Sequence, residues 1–274
     1  MSLTVRFWGV RGSIAVPGAS TARYGGNTSC IEVRCGDRLF ILDAGTGIRA
    51  LGNALIASST PIEADMLFTH THIDHVCGIP FFAPFYQPGN RFNLWLGGLS
   101  KGWGIEQALR QIMQAPMFPV ALDIFEADLS FKDFHSGDDI LTDSGFAIAT
   151  APLNHPGGAT GYRIAYEGRS VAYITDTEHR PPGQDQNIVA LCRDADLMIY
   201  DATYTDEEFP GYVGWGHSTW QEAIRVADAA HVKRLVLFHH DPGHDDKFMD
   251  KVAREAERGR GGTIVAREGL VLEV

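Results

Sequence analysis

Three histidines and an aspartate lie within six residues of one another in the stretch T-H-T-H-I-D-H, residues 69–75. In a tight loop, His70 and His72 can both turn toward one cation, while Asp74 and His75 can turn toward a second. Imidazole together with carboxylate suits Zn²⁺ or another first-row metal, whereas Ca²⁺ and Mg²⁺ sites consist mostly of oxygen ligands. The alternative is a polar loop without metals, but four ligand-type side chains so close together favour a site for two metals.

One loop cannot complete two coordination spheres, so further ligands must come from other parts of the chain. Three candidates each follow a predicted strand: His155 after Phe146–Ala151, Asp176 after Val171–Thr175, and His239 after Leu235–Phe238. Taken singly, a histidine or aspartate at a strand end is common as a turn former. Their shared placement at strand ends, where loops commonly host chemistry, indicates one site.

The elements that must position these residues alternate along the chain. Hydrophobic patterns predict strands at Thr4–Trp8, Ser29–Arg34, Leu39–Leu42, Asp65–Thr69, Phe92–Leu96, Phe146–Ala151, Tyr162–Tyr166, Val171–Thr175, Leu197–Tyr200 and Leu235–Phe238. Helices are predicted at Ile48–Ala57, Ile105–Gln114, Gln184–Arg193 and Lys247–Arg258. Because strands and helices intermix throughout, we expect one layered α/β domain over residues 1–274.

His217 lies just before one more predicted helix. Thr219 and Glu222 have the spacing of a capping box, with Ser218 and Gln221 as the alternative register. Apolar residues follow at helical spacing from Trp220 onward. His217 is therefore expected beside a helix N-terminus.

Composition excludes several classes of protein. The 274 residues are 45% hydrophobic and carry a formal net charge of −11, without a run of lysines and arginines, which argues against a protein that binds long nucleic acid. No signal peptide is evident, and the apolar stretch Cys77–Tyr86 is too short and too rich in proline to span a bilayer. The four cysteines show no C-x-x-C spacing, so we expect buried thiols in a soluble, cytoplasmic protein.

Several stretches resemble the metallo-β-lactamase fold superfamily, and within it the phosphodiesterase branch that includes ribonuclease Z and the cyclic-phosphate phosphodiesterases. They are F-W-G-V-R-G-S-I, Y-G-G-N-T-S-C, F-I-L-D-A-G-T-G-I-R-A-L-G, the H-x-H-x-D-H cluster, A-D-L-M-I-Y-D-A-T-Y, G-H-S-T and R-L-V-L-F-H. The resemblance covers nearly the whole chain. It implies an α/β fold of the metallo-β-lactamase type, a four-layer αββα sandwich.

The resemblance also implies the division of metal ligands. One metal would be held by His70, His72 and His155, the other by Asp74, His75 and His239, and both by a bridging Asp176. His239 is chosen over the adjacent His240 because R-L-V-L-F-H matches the family pattern, and His240 is the alternative.

The resemblance further implies that His217 donates a proton and that Asp201, in D-A-T, orients it, where the ribonucleases of the family often have glutamate. The alternative makes His217 a residue that only precedes a helix and Asp201 a turn former. We count Asp74 with His217 and Asp201 among the catalytic residues.

The expected function is a two-metal hydrolase that cleaves small phosphodiesters, such as cyclic nucleotides or cyclic phosphates, by attack of a metal-bound hydroxide. His75, which true β-lactamases of the fold usually lack, favours two full metal sites. A thioesterase or lactonase and a non-catalytic metal-binding sensing module are the alternatives. The metals are expected to be zinc, with manganese or iron as alternatives, and no organic cofactor is implied.

The expected partner is a small anionic substrate, without long nucleic acid or a membrane. Ribonuclease Z relatives grip tRNA with a long protruding arm, and no corresponding insertion is found between His155 and Asp176 or between Asp176 and Asp201. The resemblance is also compatible with a homodimer.

Four further features have two interpretations each. Arg11 contacts a phosphate or forms a salt bridge within the fold, and His179 faces the cleft or lies exposed in a loop. Aromatic residues after the metal loop stack on a substrate ring or, as their density favours, belong to the core; they are Phe81, Phe82, Phe85 and Tyr86. The glycine-rich turns at 9–13 and 25–28 offer N–H groups to an anion or serve only as turns.

Overall fold

The computed structural model describes residues 2–57, 61–98, 103–143 and 145–274. Strands from the first half of the chain form a seven-stranded sheet together with a short strand from the C-terminal end. In chain order they are β1 (Leu3–Gly9), β2 (Cys30–Cys35), β3 (Arg38–Leu42), β4 (Glu63–Phe68), β5 (Arg91–Gly97), β6 (Asp128–Phe134) and β14 (Val271–Glu273). The spatial order is β14-β1-β2-β3-β4-β5-β6, with β3 to β6 parallel to one another.

Strands from the second half form another seven-stranded sheet. They are β7 (Leu141–Asp143), β8 (Phe146–Leu153), β9 (Ala159–Tyr166), β10 (Arg169–Ile174), β11 (Leu197–Asp201), β12 (Arg234–Phe238) and β13 (Ile264–Val265). The spatial order is β13-β12-β11-β10-β9-β8-β7, and β10 to β13 are parallel. β12 shows why the sequences of these strands are unbroken apolar runs. Val236 and Phe238 face the other sheet, while Leu235 and Leu237 face helices, so both faces of the strand are buried.

Helices cover the outer face of each sheet. They are α1 (Ile48–Ile56), the one-turn α2 (Ile73–Val76), α3 (Ile105–Ile112), α4 (Gln186–Cys192), α5 (Trp220–Ala229) and α6 (Asp246–Gly259). One apolar layer lies between the two sheets, a second between the first sheet and α1 and α3, and a third between the second sheet and α4 to α6. The predicted four-layer αββα sandwich is confirmed.

The predicted strands and helices are all present, and their ends differ from the predicted ones by at most three residues. Thr219 is the N-cap of α5, because its Oγ1 accepts a hydrogen bond from the Glu222 N–H at 3.0 Å. The register that begins at Ser218 is therefore wrong. Four strands were not predicted, namely β6, β7, β13 and β14, which all lie at or next to a sheet edge. Among the described residues, no helix is long and apolar enough to cross a membrane.

This topology brings distant parts of the chain to one place. Parallel strands present their carboxyl ends at the same edge of a sheet, and the two sheets stack so that both such edges meet. Asp43 follows β3 and His70 follows β4 in the first sheet, while Asp176 follows β10, Asp201 ends β11 and His239 follows β12 in the second.

Candidate metal centre

The loop after β4 places its ligand-type side chains by turning directly into the short helix α2. His72 is the N-cap of this helix, and its carbonyl accepts a hydrogen bond from the His75 N–H at 3.0 Å. This tight turn leaves His70, Asp74 and His75 buried and His72 exposed at the rim.

Asp176 lies at the centre of the cluster, with its two carboxylate oxygens directed to different histidines. Its Oδ1 is 3.7 Å from the Nε2 atoms of both His70 and His155. Its Oδ2 is 3.2 Å from His75 Nε2 and 3.3 Å from His239 Nε2. The side chain therefore faces two groups of nitrogen donors at once.

The two groups on either side of Asp176 are those that the sequence predicted. In the first, which consists of His70, His72 and His155, one donor atom from each residue lies within 4.8 Å of the others, and His155 Nε2 is 3.0 Å from His72 Nδ1. The second consists of Asp74, His75 and His239. Asp74 Oδ2 is 3.2 Å from His75 Nε2 and 3.4 Å from His239 Nε2.

The outer nitrogen of each buried histidine is held by a neighbouring group, which fixes the direction of the ring. Four such contacts are present: His70 Nδ1 with Thr69 Oγ1 at 3.1 Å, His75 Nδ1 with Asp43 Oδ2 at 2.9 Å, His155 Nδ1 with the Gly216 carbonyl at 2.8 Å, and His239 Nδ1 with Thr203 Oγ1 at 3.1 Å. The inner nitrogens are thereby directed at the centre.

Asp43 is a functional residue that the sequence analysis missed. Its carboxylate also accepts hydrogen bonds from the Thr69 N–H at 2.8 Å and the Tyr173 hydroxyl at 2.9 Å. A signal was present in I-L-D-A-G, where an aspartate follows a buried strand, but this stretch was used only as part of the family resemblance.

The donor set fits divalent metal ions. The Nε2 atoms of His70, His75 and His239 are buried and have no hydrogen-bond partner among the described residues. Such groups cost free energy unless something satisfies them. The carboxylates of Asp43, Asp74, Asp176 and Asp201 are buried at or beside the same place. A buried set of nitrogen lone pairs and negative charges is the environment that a zinc-like cation stabilises.

The two groups differ in their electrostatics. Burial lowers the pKa of His75, but the negative charges of Asp176, Asp74 and Asp43 outweigh this effect and raise the pKa well above its usual value.

In the first group the pKa values fit metal ligands. Burial lowers the pKa of His70 well below its usual value and also lowers the pKa of His72 and His155, so these rings are neutral and have a free lone pair. Burial raises the pKa of Asp176, but the surrounding histidines outweigh this effect and hold the pKa well below its usual value. The Asp176 carboxylate is therefore ionised.

His217 and Asp201 form a pair beside the first group. His217 Nδ1 donates a hydrogen bond to Asp201 Oδ2 at 3.0 Å, and the ring centroid lies 5.3 Å from that of His155 and 4.9 Å from that of His239. Burial lowers the pKa of His217, but the negative charge of Asp201 and this hydrogen bond raise it to about 9. Because Nδ1 is engaged, Nε2 is the nitrogen left for a substrate.

Of the two adjacent histidines after β12, only His239 faces the cluster. His240 is buried elsewhere, where its Nε2 lies 2.8 Å from the Ala266 carbonyl, and burial lowers its pKa to about 3. His239 adopts a positive φ of 62°, as do Asp176 at 59° and Asp43 at 57°. Such conformations are uncommon for residues other than glycine and cluster where a site requires them.

Arg11 does not face the cluster. It is fully buried and donates hydrogen bonds to the carbonyls of Gly25, Asp241 and His244, so the phosphate interpretation is wrong. The turn that contains it has a different role. The Ser13 N–H donates to Asp74 Oδ2 at 2.7 Å, so this turn holds the carboxylate of a candidate ligand.

The aromatic residues after α2 belong mostly to the core. Phe82 and Phe85 are fully buried, and Tyr86 donates a hydrogen bond to the Pro80 carbonyl. Phe81 is exposed and packs against Phe118. His179 is half-buried rather than exposed, and its Nδ1 lies 2.9 Å from the Ser218 hydroxyl.

Comparison with known proteins agrees with this geometry. A profile of the β-lactamase superfamily domain matches residues 38–240, which include every candidate ligand named above. This chain belongs to that superfamily. It is a metal-dependent hydrolase with the metallo-β-lactamase fold.

Individual relatives have different activities in their names. A protein of Myxococcus xanthus named ribonuclease Z is 25% identical, with 90% of this chain and 92% of that protein covered. The metallo-β-lactamase fold protein YhfI from Bacillus subtilis has a TM-score of 0.74 at 20% identity, over 100% of both chains. A diphosphatase from the PhnP family has a TM-score of 0.72 at 20% identity, over 100% of this chain and 98% of the other.

Gly12 generates a prediction about the candidate ligand His239. A Cβ atom at Gly12 would lie 2.3 to 2.9 Å from three atoms of the His239 imidazole, whose Nδ1 is held by Thr203 Oγ1. Gly12→Ala should therefore displace the ring and lower retained zinc, measured by elemental analysis after dialysis. Gly18→Ala is the matched control, because a Cβ there meets nothing within 4 Å. Equal zinc content in the two variants would contradict this packing argument.

Proposed function

We propose that this hydrolase uses two metal ions to cleave small phosphodiesters. The observation that carries the proposal is the position of Asp176, whose two oxygens face separate groups of nitrogen donors. A single ion would need only one of these groups, and the other would leave buried imidazole nitrogens unsatisfied.

In this proposal His70, His72 and His155 hold one ion, Asp74, His75 and His239 hold the other, and Asp176 contacts both. Bound divalent ions would activate water for attack and neutralise charge on the phosphoryl oxygens. The protein contributes a fixed set of donors, because Asp43, Thr69, Thr203 and Gly216 orient the rings.

His217 is the proposed general acid. Its Nδ1–H is held by Asp201, and Thr203 in turn donates its hydroxyl hydrogen to Asp201 Oδ1 at 2.7 Å. This chain of contacts fixes the ring and favours its protonated form. A proton on Nε2 is then available to the leaving-group oxygen.

Two features support a small substrate. The chain between His155 and Asp176 is taken up by β9 and β10, and the chain between Asp176 and Asp201 by one loop, α4 and β11. Neither interval contains a protruding arm of the kind that the resemblance associates with tRNA. The net charge of −11 is also unfavourable for a polyanion, which binds through several lysine and arginine contacts.

The relative named ribonuclease Z makes cleavage of an RNA precursor the second candidate function. The two candidates differ in how binding responds to salt. A polyanion releases a counterion for each phosphate that is neutralised, so its binding weakens steeply as salt rises, whereas a substrate with one phosphate shows a shallow dependence.

This difference gives a prediction about substrates. The zinc-loaded protein should hydrolyse bis-(p-nitrophenyl) phosphate and at least one cyclic nucleotide, with kcat/KM that changes little between low and physiological salt. An acyl thioester and a lactone, assayed in parallel, should be turned over poorly. Efficient and strongly salt-sensitive cleavage of a pre-tRNA, with cyclic nucleotides untouched, would decide for the RNA substrate.

Asp176 generates a prediction about metal content. Under saturating zinc the wild-type protein should bind about two ions per chain. His72→Ala should bind about one, because it removes a ligand of the first group only. Asp176→Ala should bind less than His72→Ala, because it removes an oxygen from both sites. One ion per wild-type chain would argue against the two-metal proposal.

His217 generates a prediction about proton transfer. His217→Ala should retain zinc and lose roughly 10²–10⁴-fold in kcat on a cyclic nucleotide, whose alkoxide leaving group needs a proton. The loss should be much smaller on bis-(p-nitrophenyl) phosphate, since p-nitrophenolate leaves without one. Asp201→Ala should lose less than His217→Ala, because it only orients the ring. An equal loss on both substrates would remove the general-acid role.

A further inference from the structure

The loop that leads into His217, residues 205–216, carries exposed aromatic side chains that core packing does not explain. Trp215 is 62% exposed and Tyr212 is 36% exposed, although both are large and apolar. Exposed tryptophan beside a candidate active site is typical of a binding surface, because the ring supplies a large contact area at little cost in conformational entropy.

Contacts with the rest of the protein hold this loop in place. Glu178 Oε2 accepts hydrogen bonds from the N–H groups of Gly214 at 2.6 Å and Gly216 at 3.0 Å, one on each side of Trp215. Both glycines have positive φ angles, of 91° and 87°, which other residues adopt only with strain. The Gly216 carbonyl also accepts from His155 Nδ1. Trp215 is therefore presented by an ordered backbone.

A continuous series of rings connects Trp215 with the proposed general acid. The Trp215 ring lies 5.4 Å from Tyr212, and Tyr212 stacks on Tyr204 at 4.4 Å with an interplanar angle of 8°. Tyr204 in turn lies 6.1 Å from His217, edge to face. The exposed end of this aromatic wall, formed by Tyr204, Tyr212 and Trp215, is thus tied to the residue that faces the leaving group.

We propose that Trp215, supported by Tyr212, is a specificity-determining residue that stacks on a nucleobase carried by the leaving-group side of the substrate. The proposal rests on the phosphodiesterase function above. His217 must reach the leaving-group oxygen, so the leaving group lies on the His217 side of the cluster. The chain immediately before His217 presents Trp215 there. Stacking also suits a chain of net charge −11, because it binds a nucleotide without additional cations.

Stacking on a part of the substrate that does not react should act equally on the bound substrate and on the transition state. The effect of Trp215 is then expected in KM and not in kcat. This distinguishes a stacking surface from a residue that merely supports the fold around His217, whose loss would lower kcat.

The test compares a nucleoside 2′,3′-cyclic phosphate with base-free ribose 2,3-cyclic phosphate, which has the same reacting group and no ring to stack. The wild-type KM should be about tenfold lower for the nucleoside substrate. Trp215→Leu should remove this difference through a rise in KM for the nucleoside substrate, and Trp215→Phe should keep most of it. Val271→Ala is the control, because Val271 is similarly exposed at 52%, lies on the edge strand β14 and should leave the difference intact.

A binding measurement gives a second readout that does not depend on turnover. Titration with adenosine 5′-monophosphate should quench part of the tryptophan fluorescence of the wild-type protein, and Trp215→Phe should lose this quenching.

Equal KM values for the two substrates in the wild type, or a difference that survives in Trp215→Leu, would overturn the stacking surface and leave the phosphodiesterase function standing. If neither these cyclic phosphates nor bis-(p-nitrophenyl) phosphate is turned over, the proposed function fails. The fluorescence titration then decides on the surface: quenching that Trp215→Phe abolishes supports it, and absence of quenching overturns it.

Discussion

The buried carboxylate of Asp176 is the group on which the arrangement of the site depends. It lies at the end of a central strand with a positive φ of 59°, and its two oxygens face histidines from both halves of the chain. A buried negative charge is stable only when other groups compensate for it. The nearest groups are imidazoles whose inner nitrogens themselves need a partner. Cations held between them satisfy both requirements together, which explains why so many polar groups are tolerated inside an apolar sandwich.

The two stacked sheets make this convergence achievable. Each candidate ligand either follows a buried strand or, like Asp74 and His75, lies at the one-turn helix α2, so the packing of the sheets fixes the backbone from which the ligand projects. Side-chain direction is then set by outer contacts such as His75 with Asp43 and His239 with Thr203. The fold thus fixes the position of each ligand, and the outer contacts fix the orientation of its side chain. At His239, the close approach of Gly12 leaves the ring little freedom.

Sequence patterns predicted much of this because two signals were strong. The parallel strands are buried on both faces, which produces apolar runs such as R-L-V-L-F before His239, and the ligand types are chemically distinctive. The missed strands are short or lie at a sheet edge. In β6, for example, Leu129 and Phe131 alternate with exposed or half-buried polar residues, so the strand lacks an unbroken apolar run.

Other features depend on tertiary contacts that no local pattern contains. The choice between His239 and His240 depends on which of them faces Asp74. The two histidines are adjacent in the sequence, so no local pattern distinguishes them. Arg11 is charged, yet it is fully buried because three backbone carbonyls from distant loops surround it. The aromatic wall could not be recognised because Tyr204, Tyr212 and Trp215 show no regular spacing, and only the folded loop brings their rings together.

The candidate metal ligands therefore account for the chemistry of the site, whereas the surrounding loops must account for the choice of substrate. A protein named ribonuclease Z and a diphosphatase of the PhnP family both resemble this chain over nearly its whole length, so the shared fold does not select a substrate. Selection must come from groups that differ around a common centre, and these lie mainly on loops. Here the loop before His217 combines an ordered backbone with an exposed indole in a strongly acidic protein. Because acidity disfavours polyanions and aromatic rings favour bases, both properties point toward substrates with a single phosphodiester and a flat ring.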